Sequence, residues 1–387
     1  MKHLSKFQAF YQIFIKPTKI WRIPKKSEIL IYDACGAENF SPYLSEYDVE
    51  IIHVRNELVN LPCLLFSILT WDFWRGRRQA YTDTYIRLVA PKIILTFIDN
   101  SIAFYTISER FPNIMTMFFQ NGTRSELGDV FDHLIKSDHY HVDYMLVHGN
   151  AIGTYYQKFI SGQIYVAGSL INNQIKKNNG ISDGSVLFIS QYRVHQKDNE
   201  PIWISSGGVK ILWNQFYAID ILVLNYLNKY CIRNNKLLRI CGMESIEDRN
   251  EKDFYSNILT EAYWEYMPRY DRYNSYKLLD LAEIVITIDS TLGYESFARG
   301  NKTAFFSCRG NYTYTNSKKF GWPAGLPENG PFWTNEPKEE EFCRVMDYLL
   351  TVSAEDWENT RQNYAGEIME FDSGNTRFIE LLDQILS

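Results

Sequence analysis

Short apolar runs alternate with longer stretches of helical periodicity through most of the chain, the pattern of strand-helix-strand units on a mainly parallel sheet. In the first half, the runs at 28–32, 49–54, 92–98, 115–119, 144–148 and 163–166 predict strands. Most of them end in polar or glycine-containing punctuation, such as Asp99-Asn100, Gln120-Asn121-Gly122 and His148-Gly149-Asn150. Ligands of open parallel sheets collect outside the carboxyl ends of the strands, so these punctuations are expected along one edge. From Asn172 to Gly180 the pattern relaxes into a polar tract with little to bury, which reads as an interdomain linker. A second series of strands follows at 185–190, 236–241, 284–288 and 303–307, with helices at 213–234 and 253–264 between them and further helices at 339–352 and 377–386. The expected fold class is α/β: two Rossmann-like domains over 1–170 and 171–345, facing a cleft. Helices over 346–387 close the chain, the last of them placed to cross back onto the first domain.

The bulk properties agree. A chain of 387 residues exceeds what one core usually organises, and 45% hydrophobic with 22% charged residues is the composition of a folded protein. A net charge of −6 argues against a general nucleic-acid binder. The six cysteines are scattered without a Cys-x-x-Cys pair, which reads as free thiols in a reducing cytoplasm. Residues 1–26 mix lysines with aromatics and lack the apolar core of a signal peptide. They read either as a peripheral anchor on the cytoplasmic face of an anionic inner membrane or as a helix packed on the first domain. The apolar stretch 58–69 is too short to span a bilayer.

The segment 282–307 is the most informative for chemistry: a strand, Asp289-Ser290-Thr291-Leu292-Gly293, a helix with Glu295, and another strand. Two hydroxyls, Ser290 and Thr291, at a helix start with unpaired N–H groups suit a donor phosphate, and Glu295 one turn on suits a ribose or sugar hydroxyl. The alternative is a plain N-cap with a capping partner. Ser190-Gln191-Tyr192-Arg193 ends the first strand of the second half and delivers an arginine fit for phosphate. Gly242 after the next strand allows close approach of a nucleotide, or a tight turn. In the first half, Asp99 and His148 are candidate general bases toward an acceptor hydroxyl, Asn121 a polar contact at the same edge, and Glu38 a further carboxylate. For Asp99 the alternative is a loop cap, and for His148 a satisfied structural histidine. No Asp-x-Asp metal element, Gly-x-x-x-x-Gly-Lys-[Ser/Thr] loop or Gly-x-Gly-x-x-Gly fingerprint occurs, so neither a metal nor a dissociable cofactor is expected. The one Gly-x-Ser-x-Gly match, around Ser182, precedes a strand in the polar linker and reads as chance.

Several of these segments together, ILIYDACGAENFSPYL, KIILTFIDN, MFFQNGTR, VDYMLVHGNAIGTYY, FISQYR and IDSTLGYESFARGNKTAFF, resemble bacterial surface-carbohydrate biosynthesis proteins of lipopolysaccharide and capsule assembly. More distantly they are similar to transferases of CMP-activated Kdo and nonulosonic acids. The resemblance implies a GT-B glycosyltransferase with an acceptor-binding first domain and a nucleotide-binding second domain. It implies a CMP-linked donor, such as CMP-pseudaminic or CMP-legionaminic acid, and a glycan acceptor. One departure stands out: where related CMP-using families carry His-Pro, this chain reads Cys241-Gly242-Met243-Glu244. A UDP-sugar transferase, a non-hydrolysing nucleotide-sugar 2-epimerase and a non-catalytic glycan-binding assembly protein stay open beside it. The 27 tyrosines and 9 tryptophans suit sugar stacking and core packing equally.

Overall fold

The computed structural model describes residues 18–55, 57–178, 180–193, 198–205, 207–243, 249–260, 263–271 and 273–387, with backbone alone at 71–75 and 77. Residues 1–17 of the basic N-terminal segment, and Glu244-Ser245 of the motif after Gly242, lie outside the described residues. Two sheets dominate. In the first, β1 (Ile29–Tyr32), β2 (Val49–Ile52), β3 (Ile93–Thr96), β4 (Met115–Phe119), β5 (His141–Val147) and β6 (Ser161–Val166) run parallel in the order β2-β1-β3-β4-β5-β6. The central strands β1 and β3 are buried at every position, as apolar strands covered on both faces must be.

The second sheet holds β7 (Val186–Ile189), β8 (Leu238–Cys241), β9 (Trp264–Met267), β10 (Ile284–Thr287), β11 (Thr303–Phe306), β12 (Asn329–Gly330) and β13 (Trp333–Thr334). Their order is β9-β8-β7-β10-β11-β13-β12, and only the β12/β13 pair is antiparallel. The order reverses between β7 and β10, the kind of switch point where doubly wound sheets hold ligands. The helix expected over 253–264 ends at Ile258, and Trp264 opens the edge strand β9 instead.

Helices flank both sheets: α1 (Leu61–Ile68) and α2 (Trp71–Val89) in the first half, then the short α3 (Leu170–Gln174) at its exit. The second half adds α4 (Trp213–Arg233), α5 (Asn250–Ile258), α6 (Thr291–Ala298), α7 (Glu339–Thr351) and α8 (Ala354–Ile368). The terminal helix α9 (Thr376–Leu386) lies on the first sheet, where Phe378, Leu381, Leu382 and Leu386 pack with Ile29, Phe40 and Phe119. The tract at 172–180 is no idle polar linker. Asn172 and Asn173 are buried: Asn173 Nδ2 donates to Asn375 Oδ1 at 3.0 Å, and Asn172 O accepts from Arg299. Arg299, itself buried, grips Asp280 through two hydrogen bonds of 2.9 and 2.5 Å, which fixes the crossing segment onto the second half. The two buried amides are satisfied in this way, while Lys176, Asn178 and Gly180 stay exposed.

Candidate functional site

A cleft of about 560 Å³ opens between the halves at the β7/β10 switch point. The second half supplies most of its wall: Ile189, Ser190, Gln191 and Arg193 after β7, Cys241, Gly242 and Met243 at the end of β8, and Asp289 with the start of α6. From the first half come Asn121 and Thr123, on the loop after β4, and Ile171 of α3. Of the residues expected from sequence, the fold gathers Asn121, Ser190, Gln191, Arg193, Gly242, Ser290, Thr291 and Glu295 in this one cleft, and leaves out Asp99, His148 and Glu38.

Helix α6 begins where the apolar strand β10 ends. Ser290 is its extended cap residue and makes no capping bond with its side chain. Gly293 lets the helix start close to the sheet, since a Cβ there would stand 2.5 Å from Cβ of Thr287. Gly293 N donates to Ser290 O at 2.9 Å, whereas the N–H groups of Thr291 and Leu292 have no backbone carbonyl partner, so this end favours an anion. Thr291 Oγ1 accepts from Thr123 N at 3.0 Å and lies 3.2 Å from Thr123 Oγ1, bridging the two halves across the cleft. The Glu295 carboxylate is buried and accepts from Ser169 Oγ at 2.5 Å and Tyr276 OH at 2.8 Å. Burial raises its pKa, and those two hydrogen bonds work against the rise.

Ser190 and Gly242 are held by one hub, Glu251 of α5. Ser190 Oγ donates to Glu251, and Tyr255 OH donates into Ser190 Oγ at 2.7 Å, so this hydroxyl is engaged within the protein. Glu251 also accepts from Met243 N at 3.0 Å and from Tyr266 OH at 2.7 Å. A Cβ on Gly242 would meet Tyr266 Oη at 2.5 Å and Cζ at 2.7 Å. Glycine is therefore required there by the tyrosine behind the strand end.

Behind Asp289 sits Arg309, fully buried over the Phe216 ring at 3.9 Å. Its NH2 donates to both oxygens of Asp220 at 2.9 and 2.7 Å, and its NH1 to Gln191 Oε1 at 3.0 Å and to Asp289. Burial pushes Asp220 up despite Arg309. For Asp289 burial also acts upward, but Arg309 and then Lys318 outweigh it and hold the carboxyl below its ordinary value. Lys318 lines the cleft over Trp203, 5.0 Å from its ring, and burial lowers its pKa against the pull of Asp289. Lys318, Trp203, Asp289 and Arg269 escaped the sequence reading as site residues. Arg269 follows β9, a strand whose start was absorbed into a helix. Lys318 closes the single turn Asn316–Lys318, which has no periodic signal.

Three expectations need correction. The Asp99 side chain is enclosed: Arg124 Nε donates to it at 2.6 Å, Asn121 N at 3.2 Å, and Arg124 NH2 and Tyr156 OH also donate. It clamps the loop that carries Asn121 and Thr123 and does not line the cleft. His148 lines a separate cavity of about 50 Å³ with Gln120, Arg124 and Trp322. Its Nε2 donates to Gln120 O at 3.1 Å, and burial lowers its pKa to about 4, too weak a base for work near neutrality. Glu38 is exposed on the turn Ala37–Asn39, away from the cleft wall.

Among the described residues no group of three or more His, Cys, Asp or Glu side chains is placed to hold a metal ion, and no helix is long and apolar enough to cross a membrane. No curated protein sequence matches the chain. Solved structures do. Staphylococcus aureus MnaA in its co-structure with UDP is 10% identical, covers 92% of this chain and 96% of its own, and has a TM-score of 0.52. Neisseria meningitidis UDP-GlcNAc 2-epimerase bound to UDP-GlcNAc is 8% identical over 92% and 99%, TM-score 0.51. A Rickettsia africae glycosyltransferase is 10% identical over 97% and 100%, TM-score 0.51. At such identities the likeness is one of fold, and the fold is the expected GT-B arrangement. The family described as "putative O-antigen biosynthesis protein" matches residues 117–386, a span that holds every residue lining the cleft, and the chain belongs to that family.

Proposed function

We propose that the chain is a metal-independent glycosyltransferase of O-antigen or capsule assembly, moving a nonulosonic acid such as pseudaminic acid from its CMP donor to a glycan. One observation carries this reading: Arg193, Arg269 and Lys318 line the same cleft as the α6 N-terminus, and none of the three forms an ion pair among the described residues. Arg269 follows the edge strand β9, two strands away from β7, whose end carries Arg193. Lys318 feels Asp289 and Arg193, whereas Arg269 acts on Cys241 at the end of β8. A CMP-activated sugar acid carries a phosphate and a separate carboxylate, and separated cations flanking an anion-favouring helix end suit such a ligand. A neutral sugar on a diphosphate concentrates its charge in one place.

In this scheme α6 and the cations stabilise the departing nucleotide phosphate, Glu295 accepts from a ribose hydroxyl, and Asn121 with Thr123 faces the acceptor side. The first half presents no ionisable side chain among the described lining residues. Its part is to orient the acceptor oxygen. The solved epimerases of the same fold favour a second reading, epimerisation of a UDP-N-acetylhexosamine, which needs no acceptor.

A thermal-shift panel of CMP, CDP, UDP, UMP and GDP separates the readings, because a ligand bound by the native state raises its melting point. A shift with CMP, followed by transfer from CMP-pseudaminic acid to a glycan, is expected. A shift with UDP alone and turnover of UDP-N-acetylglucosamine without acceptor would replace the transferase by the epimerase. Silence across the panel would leave a glycan-binding assembly protein.

A further inference from the structure

Away from the cleft, the first half carries an apolar face with a basic border. Thr18–Ile20 pairs in parallel with Leu58–Asn60, so residues 21–23 and helix α1 leave this ladder side by side. Asn60 ties them together: its Nδ2 donates to Arg22 O at 2.8 Å, and its Oδ1 accepts from Cys63 N at 3.0 Å as the cap of α1. Helix α1 buries Cys63, Leu64 and Ser67 and turns Leu65 and Phe66 outward, with Leu69 following one turn later. Leu69 is 82% exposed, Leu65 59% and the neighbouring Trp21 77%, with Ile23 also out. No charged residue occurs between 58 and 70, so the outer face of α1 lacks the polar residues that normally meet water.

The border is mainly basic, with exposed Glu57 the acid beside the ladder. Residues 18–26 hold Lys19, Arg22, Lys25 and Lys26 and no acid, and Lys25 and Lys26 are exposed. Arg22 reaches Glu50 at 3.1 Å with its side chain still more than half exposed. On a chain of net charge −6, this is a local reversal of sign laid beside exposed Trp, Leu, Ile and Phe. An anionic bilayer offers the matching chemistry, since headgroups attract lysines while large apolar side chains enter the interface.

We propose that Trp21, Ile23, Leu65, Phe66 and Leu69, bordered by Lys25 and Lys26, form a docking face for an anionic phospholipid surface. The stretch too short to span a membrane lies on it. The face does not involve the cleft, so it stands or falls independently of the reaction assigned above.

The test is co-sedimentation of the full chain with phosphatidylcholine vesicles containing about a third phosphatidylglycerol, against vesicles of phosphatidylcholine alone. The chain is expected to pellet with the anionic vesicles and to be released by salt. Leu65→Ser/Phe66→Ser/Leu69→Ser should weaken binding more than about tenfold, and Lys25→Glu/Lys26→Glu by about tenfold or more, with unchanged melting points because all five side chains are exposed. Protein left in the supernatant with anionic vesicles overturns the proposal, as does wild-type binding by the triple variant. Light scattering that finds a dimer of the wild type and a monomer of the triple variant would assign the face to a second copy of the chain instead.

Discussion

Gly242→Ala probes whether the wall of the cleft is built as described. The added methyl would lie 2.5 Å from Tyr266 Oη and 2.7 Å from Cζ, about 1 Å inside ordinary contact. Overpacking of this kind costs about 1–3 kcal/mol. Relief requires the ring to move, and its hydroxyl donates to Glu251 Oε2 at 2.7 Å; losing a hydrogen bond to a charged group costs about 1.5–3 kcal/mol more. The expected loss is therefore roughly 2.5–6 kcal/mol, read as a lower urea midpoint at unchanged m. Nucleotide affinity should fall with it, because Glu251 also fixes Met243 N and the Ser190 hydroxyl. The control is Tyr266→Ala. With the ring gone the methyl has space, and Gly242→Ala on that background should cost less than about 0.5 kcal/mol. A Gly242→Ala protein with the wild-type midpoint, or a cost that is the same with and without Tyr266, would refute the argument that packing against the tyrosine dictates the glycine.

Other consequences are as direct. Ser290→Ala, which removes a hydroxyl not used in capping, is expected to weaken nucleotide binding about two- to tenfold by calorimetry at an unchanged melting point. Asp99→Asn breaks a buried pair with Arg124 and should cost about 3–5 kcal/mol of stability, with any fall in turnover accompanied by that loss; a hundredfold fall in turnover at full stability would restore Asp99 as a base. His148 has a folded pKa of about 4 against about 6.5 unfolded, so between those values the folded chain binds fewer protons. Stability is then lost as pH falls from about 6.5 to about 4, by about 3 kcal/mol in all, and His148→Gln should flatten that slope in denaturation curves; an unaltered slope would show that other groups set it.

Much of this organisation was legible from periodicity because parallel strands buried on both faces are written as uninterrupted apolar runs, which is how β1, β3, β7, β10 and β11 announce themselves. The edge strand β9 has no such run. Its four residues, Trp264–Met267, are all half-buried, and a helical pattern and an edge strand look alike over so short a span. That Ser290, Thr291 and Glu295 would share one edge was equally readable, since they sit where a helix start and its first turn must place them.

The first half misled for a physical reason. The end of an apolar strand delivers a polar residue to the carboxyl edge of the sheet, but sequence does not say whether the following loop opens onto the cleft or folds back over the residue. After β3 the chain is roofed by the loop after β4: Arg124 returns from it to seize Asp99, with Tyr156 closing the other side. After β5 the backbone of α8 and the segment following it covers His148, whose carbonyl accepts from Glu370 N at 3.0 Å. Both residues are drawn inward by partners distant in sequence, a charge on one loop and a backbone on another. The same clamp that removes Asp99 from chemistry also explains why Asn121 and Thr123 reach the cleft: Asn121 N and Arg124 are both tied to Asp99, and the loop between them is held out over Thr291. A carboxylate that looked like a catalyst thus works as the anchor of a loop through which the first half touches α6, and its loss should be felt as an unfastened loop before it is felt as missing chemistry.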